Sequence, residues 1–530
     1  MARAAVWLSL LLLECPLLLE SARILTVCLI GGSHYMLLDE ISHTFHESGH
    51  EVRMLLQTGT PVIRGLNYVG RPDSYQITSW SASEDYIKEY NEWFLEQQKE
   101  FLQGRDSFSN YLKFLGHLAY QCDNILADSE LMGFLKQESY DIVLLDAFNP
   151  CSFLVAEWLG VPYVAFFPGT LSFPSNGLPR PLSYVPVYRS QLSDHMGFWD
   201  RVTNVLLFLG SLAAERFTQA PFLQVIERHF NPAQTSLPEL YRKAELWAFN
   251  TDFSLEIPQP LMPNTVCVGG LLAKAPKPVS QDLEDFISRF QEAGFIVVTL
   301  GSMLSTVPQE QLVQEMNAGF AEVPQGVIWR FNPSRWPQRI QPAANIKLVE
   351  WLPQNDLLGH PKARLLVTHG GQNSLMQAVF HAVPVLGIPL FGDQFDNMVR
   401  AEERGLGRSL SPTELRGALF ASTMKSLIGD SRYKTSAQAL SRIHRSHPLA
   451  PGQRLVHWVE HILQSGGGAH LRARSLLQPW YERWLLDVAL FLLGSMLLLL
   501  GPMLLLLGLG ARAVRAAART LQQRGKVKRH

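Results

Sequence analysis

The chain has 530 residues, with 46 Lys and Arg against 47 Asp and Glu, and 47% of it is hydrophobic. A single hydrophobic core stops growing well short of this length, so at least two domains are expected. The formal net charge of −1, with no long basic or acidic run before the extreme C-terminus, provides no field for a polyanion and argues against nucleic acid as a partner.

In chain order, the opening MARAAVWLSLLLLECPLLLESA joins an early arginine to a leucine-rich stretch and small residues at Ser21 and Ala22. That pattern predicts a signal peptide over 1–22, cleaved near Ala22. Residues 24–57 then read strand, turn, helix, strand, which is one βαβ unit and the seed of a parallel sheet. YDIVLLDAF at 140–148 and VPYVAFF after it are further buried strands. Between these units lies a helical tract rich in Phe, Tyr and Trp. HMGFWDRVTNVLLFLGSLAAE, at 195–215, is apolar and helical; the core and the membrane surface are both open to it. Residues 23–270 are therefore read as one Rossmann-like domain.

The prolines and charges of LLAKAPKPVSQDLED, 271–285, mark a linker. A second βα series occupies 286–450, with strands expected in GFIVVTLGS, GVIWRF, NIKLVEWLP, RLLVTHGG and VPVLGIP. The segment 451–487 is read as a return helix and a juxtamembrane stretch. From Val488 to Ala511 the chain is uncharged and long enough to span a bilayer, with Trp480, Tyr481 and Trp484 where an interfacial aromatic belt belongs. The basic tail 512–530 then places the C-terminus in the cytosol and the bulk of the chain in a lumen. Its end, KVKRH, has the lysine spacing of a dilysine retrieval signal, so the expected location is the endoplasmic reticulum membrane, single-pass type I. Cys28, Cys122, Cys151 and Cys267 remain after cleavage; no C-x-x-C pair suggests a metal or redox site, and the disulfide pairing stays open.

Three loop tips in the second half carry polar groups suited to one ligand. VTHGGQNS, at 367–374, ends a strand in glycines just before a helix, whose unpaired N–H groups favour an anion such as a phosphate. EWLPQNDLLGHP offers Trp351 to stack a base and Gln354 to bond its edge; GIPLFGDQFDN ends at Asp393 and Gln394, a carboxylate and an amide suited to sugar hydroxyls. Base, phosphate and sugar readers on consecutive loops describe a nucleotide sugar. A nicotinamide-dependent oxidoreductase would want G-x-G-x-x-G after its first strand, and GGSHYM does not provide it.

The run WLPQNDLLGHPKARLLVTHGGQNSLMQAVFHAVPVLGIPLFGDQFDN resembles the signature of the UDP-glycosyltransferases, the family that includes the glucuronosyltransferases. GGSHYMLLDEISH, GLPRPLSYVPVYRSQLSDHMGFWDRV and SHPLAPGQRLVHWVEHILQSGGGAHL most resemble its mammalian family-3 branch. The resemblance implies an α/β chain of GT-B fold, with two Rossmann-like domains facing across a cleft, a return helix and a C-terminal transmembrane helix. The N-terminal domain would take the acceptor and the C-terminal one the UDP-sugar. Carried over residue by residue, Trp351 would stack uracil and Gln354 would contact the nucleoside. Ser302, His369, Gly371, Asn373 and Ser374 would hold the diphosphate, and Asp393 and Gln394 the sugar. His34, after Gly31-Gly32-Ser33, would take the proton of an acceptor hydroxyl, and Asp146 would orient it. The implied reaction is inverting transfer to a small lipophilic acceptor. It needs no cofactor beyond the UDP-sugar co-substrate and no metal, since the chain has no D-x-D motif.

Three positions depart from the family pattern. Gln377 stands where a glutamate usually accepts the ribose hydroxyls, Gln259 replaces a common arginine, and Ala382 replaces a glycine. No Lys or Arg lies between Gly370 and Val399, which favours a neutral sugar, and Phe391 resembles the residue of glucose- and xylose-using members. N-acetylglucosamine and glucuronate remain candidates. The Gln377 and Gln259 departures leave a second reading open, a catalytically weak nucleotide-sugar-binding partner of related enzymes that would act through hetero-oligomers.

Overall fold

The computed structural model describes residues 21–59, 74–171, 177–301 and 310–527. The expected signal peptide before Ser21, Ser302 and the last three residues of the tail lie outside the described residues. The chain divides between Leu471 and Arg472 into two units.

The first unit holds two parallel sheets. One has seven strands: β1 (Arg23–Cys28), β2 (Glu51–Gln57), β3 (Gln76–Trp80), β4 (Ile142–Asp146), β5 (Tyr163–Phe167), β6 (Leu246–Phe249) and β7 (Thr265–Cys267). They lie in the order β3-β2-β1-β4-β5-β6-β7. The order reverses between β1 and β4, a switch point at which ligands bind beyond the strand ends. The other sheet has β8 (Phe295–Thr299), β9 (Gly326–Arg330), β10 (Ile346–Val349), β11 (Ala363–Thr368), β12 (Val385–Gly387) and β13 (Gly407–Ser409), ordered β10-β9-β8-β11-β12-β13. Its switch point falls between β8 and β11. Central strands such as IVLLD and FIVVT are buried at every residue, as parallel strands covered on both faces must be.

The helices that position the site are α1 (Ser33–Glu47), α2 (Glu84–Leu102), α3 (Phe108–Ala127), α4 (Pro150–Leu159), α5 (Phe198–His229), α6 (Gln281–Ser288), α7 (Gln354–Gly359), α8 (Gln372–Phe380), α9 (Gln394–Glu403), α10 (Ser431–Arg445) and α11 (Pro451–Gln464). Helix α6 begins inside the stretch read as linker. Leu283, Phe286 and Ile287, spaced three and four residues apart, form an apolar stripe buried in the core of the second sheet, so the connection ends at Ser280. Helix α11 buries Leu455, Val456, Val459 and Ile462 in the core of the first sheet, beside α1. The chain thus crosses to the second half and comes back.

The 195–215 stretch folds into the 32-residue α5, which does not enter the core along its apolar middle: Phe198, Trp199, Leu206, Leu209, Leu212 and Phe217 are exposed. A disulfide joins Cys122 of α3 to Cys151 of α4 across 29 residues, leaving Cys28 and Cys267 as buried thiols. In the second unit the long helix α12 (Leu486–Val527) begins two residues before the expected span and runs through the basic segment beyond Ala511. Its Leu486–Gln522 portion is long and apolar enough to cross a membrane. Past the apolar limit the Ala, Arg, Leu and Gln of ARAVRAAARTLQQR, strong helix formers, continue it.

Candidate active site

His34 is the second residue of α1, which follows Gly32, whose φ of 67° only glycine adopts without strain. The turn releases the chain from β1 and points the imidazole at the end of β4. There His34 Nδ1 lies 2.7 Å from Asp146 Oδ2. Asp146 is buried, and its other oxygen accepts from the Phe148 N–H at 3.0 Å. The Phe148 ring meets the imidazole edge-on at 5.2 Å. Carboxylate and ring together restrict the histidine to one orientation, with Nε2 left for another partner. The neighbouring histidines are occupied elsewhere: His43 meets Ser74 and Glu47, and His50 accepts from the Ala22 N–H.

Across the cleft, β11 ends at Thr368 and the chain turns through His369, Gly370 and Gly371 into α8. No side chain caps that helix, so its first N–H groups stay open. The glycines here have a packing reason. A Cβ at Gly301 would come within 2.5 Å of His369 Nε2, and one at Gly371 within 2.6 Å, so the imidazole is seated between two residues that must lack side chains. Burial, with the Arg330 charge adding to it, pushes the His369 pKa down to about 4, so the ring is neutral at physiological pH.

Arg330 was not singled out from the sequence. It closes β9, and its guanidinium donates to the Gly301 carbonyl at 2.7 Å while lying 5.2 Å over the Trp351 ring. Burial lowers its pKa, the mark of a cation held with little solvation. The available signal was a charged residue ending an otherwise buried strand at its carboxyl end, the edge where ligands bind. Trp351 itself is half exposed, with a free face for a planar ring.

The amides expected at the nucleoside are already paired. Gln354 Nε2 donates to Ser374 Oγ at 3.1 Å and to Gln377 Oε1 at 2.8 Å. Gln377 Nε2 donates to the Leu272 carbonyl at 2.8 Å, so both ends of Gln377 are engaged within the protein. Asn373 Oδ1 accepts from Asn250 Nδ2 of the first half at 2.8 Å. Gln394 Oε1 accepts from the Leu390 and Phe391 N–H groups at 2.9 and 3.1 Å, closing its own loop and leaving Nε2.

Asp393 lies at the head of α9. Its Oδ2 accepts from Asn397 Nδ2 at 2.8 Å, and the same nitrogen donates to the Gly370 carbonyl at 3.0 Å. Asn397, also missed in the sequence, therefore binds the glycine turn to the Asp393 loop. Arg400 donates to Asn397 Oδ1 and lies 3.6 Å from Glu256. This cation stands one residue past Val399, where the stretch free of Lys and Arg ends, and it is committed to these partners. Burial raises the Asp393 pKa against the opposing pull of Asn397, Arg400 and His34. Phe391 stacks on Phe101 of α2, at 4.5 Å and 26°. Gln259 lines a small cavity with Asp396 and Arg400, its Oε1 buried without a partner among the described residues.

Residues 22–507 match the family model described as UDP-glucoronosyl and UDP-glucosyl transferase. The chain is similar to UDP-glucuronosyltransferase 3A2 of Homo sapiens, 48% identical over 91% of this chain and 92% of that one. It is also similar to UDP-glucuronosyltransferase 3A1 of Bos taurus, 47% identical over 89% and 90%. Among solved structures, CalG4, the calicheamicin glycosyltransferase, superposes with a TM-score of 0.58 at 17% identity over 83% of this chain and 98% of that one. The likeness shows the GT-B fold.

Proposed function

Since this chain belongs to the UDP-glucuronosyl and UDP-glucosyl transferase family and, within it, to the mammalian family-3 branch, and is a glycosyltransferase using a UDP-sugar, we propose that it transfers a neutral sugar, glucose or xylose, with inversion to a hydroxyl of a small lipophilic acceptor. The carrying observation is the His34–Asp146 pair, 2.7 Å apart between Nδ1 and Oδ2, which leaves Nε2 to face an acceptor.

In this reading His34 Nε2 takes the acceptor proton while Asp146 holds Nδ1–H and stabilises the imidazolium. The acceptor oxygen bonds to the anomeric carbon. The carbon–phosphate-oxygen bond breaks on the opposite face, and its electron pair leaves with UDP. The open N–H groups of α8, His369 and the Arg330 cation take up the charge developing on the diphosphate, and Trp351 carries the uracil. Asp393 accepts from sugar hydroxyls. The neutral-sugar preference is supported by Arg400, whose charge is matched by Glu256 and Asn397 and is not free to pair with a glucuronate carboxylate.

The proposed location is the endoplasmic reticulum membrane, with both sheets lumenal and a short cytosolic tail. The apolar helix at the C-terminal end supports membrane anchoring, and the Cys122–Cys151 disulfide supports an oxidising compartment. One observation favours the second reading, a weak nucleotide-sugar-binding partner: with both ends of Gln377 engaged, ribose loses its usual acceptor.

A donor panel decides between the two. Membranes carrying the chain are offered UDP-glucose, UDP-xylose, UDP-N-acetylglucosamine and UDP-glucuronate with phenols and steroids, beside His34→Ala. Transfer from UDP-glucose or UDP-xylose that disappears in the variant is expected. Preference for UDP-glucuronate would overturn the donor assignment, and silence across the panel would favour the binding partner.

A further inference from the structure

A strap from the first half closes over the donor-sugar loop of the second. Residues 182–187 are pinned to α5 by the fully buried Asn204, whose Oδ1 accepts from the Val187 N–H at 2.7 Å and whose Nδ2 donates to the Leu182 and Val185 carbonyls at 3.0 and 2.9 Å. Beyond Tyr188 the chain docks on α9. The Arg189 and Gln191 N–H groups donate to the two oxygens of Asp396 at 2.5 and 2.9 Å. Both residues hold positive φ, 65° and 54°, which disfavours side chains other than glycine and persists only where the surroundings dictate it. Asp106 completes the clasp, accepting from the Gly392 N–H at 3.0 Å and from Arg189 Nη2 at 2.6 Å.

Val185 and Val187 are buried and line a small cavity with Asp396 and Arg400 of α9, and the chain then turns through Tyr188, closed by the Ser190 N–H donating to the Val187 carbonyl at 3.0 Å, which brings Tyr188 beside Gly392. Its hydroxyl lies 3.9 Å from where a Cβ on Gly392 would stand and has no hydrogen-bond partner among the described residues. We propose that Tyr188 is a donor-contacting residue supplied by the acceptor half: its hydroxyl donates to a hydroxyl of the transferred sugar, which donates in turn to the Asp393 carboxylate.

Chains of this kind, from phenol to sugar hydroxyl to carboxylate, strengthen one another in a water-poor site. Burial, with the Asp393 charge beside it, holds the Tyr188 pKa well above its ordinary value, so the phenol stays a donor. Sugar selection then depends on both halves being closed, because one hydrogen-bonding group comes from each. The inference rests on reading the cleft as a UDP-sugar site.

The test separates sugar from nucleotide. Full-length protein in detergent is titrated with UDP, UDP-glucose and UDP-xylose, as wild type and as Tyr188→Phe, which keeps the ring and its packing. Loss of one hydrogen bond is expected to weaken the better sugar nucleotide by about three- to tenfold while UDP binds as before. In turnover the donor KM should rise more than kcat falls. Equal weakening of UDP, or none for the sugar nucleotides, would overturn the assignment and leave Tyr188 a packing residue. Wild type that fails to bind UDP at all would overturn the donor-site reading and this inference with it.

Discussion

His34 and Asp146 stand 112 residues apart in sequence, on different elements, and meet at 2.7 Å between Nδ1 and Oδ2. The contact fixes which imidazole nitrogen faces the cleft. It predicts that His34→Ala lowers kcat by roughly 10²–10⁴-fold, the usual contribution of a positioned base, and leaves UDP affinity unchanged. Asp146→Asn should also lower kcat with little change in donor KM, because an amide can hold the ring in the wrong tautomer. Steady-state kinetics with a parallel UDP titration checks both; unaltered turnover in His34→Ala would remove it from the mechanism.

Arg330 is stacked over Trp351 and tied to Gly301, beside the ring of His369. Arg330→Ala should weaken UDP by about 1.5–3 kcal/mol, or roughly ten- to a hundredfold in Kd, as expected for a charged hydrogen bond to a phosphate. Arg330→Lys should recover only part, since an ammonium has neither the planar fork nor the stacking face. Calorimetric titration with UDP reads this directly.

Gln377 donates to the Leu272 carbonyl and accepts from Gln354. A glutamate there keeps the second bond and sets a carboxylate against a carbonyl in place of the first. Gln377→Glu is therefore expected to cost about 1–3 kcal/mol of stability without ligand. The added charge should also let ribose draw on the carboxylate, lowering the donor KM. Denaturant unfolding and donor kinetics on the same preparation test the two effects separately.

His369 and His381 are both held down to about 4 from the ordinary 6.5, chiefly by burial, with Arg330 and Arg445 adding to it respectively. Below pH 6.5 the unfolded chain takes up protons that the folded chain refuses, so the folded state loses ground as the pH falls toward 4 and its full stability is present above 6.5. Thermal unfolding across pH 4–7 should show this loss, with a shallower slope in His381→Asn. An unchanged slope in that variant would place the acid sensitivity elsewhere.

Much of the framework is legible along the chain. The strands announce themselves as β-branched apolar runs because parallel strands are buried on both faces, and the loops after them carry His34, Trp351, His369 and Asp393. Trp351, His369 and Asp393 share one contiguous run, and the resemblance adds His34 from the separate GGSHY stretch. Other features resist such a reading. Helix α6 hid in a stretch whose prolines suggested a linker, because three apolar residues are too few to outweigh composition until a core is there to receive them. The Cys122–Cys151 pairing needed the approach of α3 to α4.

By itself the sequence determined two βα series, their ligand-bearing ends and an apolar C-terminal helix, because each is encoded in local periodicity or in one contiguous motif. Only the tertiary structure decided that Arg330 lies over Trp351, that Gln377 spends both ends of its amide inside the protein, and that the Tyr188 strap reaches Asp396 and Gly392 across the cleft. Those contacts join segments up to 286 residues apart, as in the bond from Gly392 to Asp106. They depend on how two separately folded sheets turn their strand ends toward each other, which is set by the packing of whole surfaces and leaves no local pattern to read.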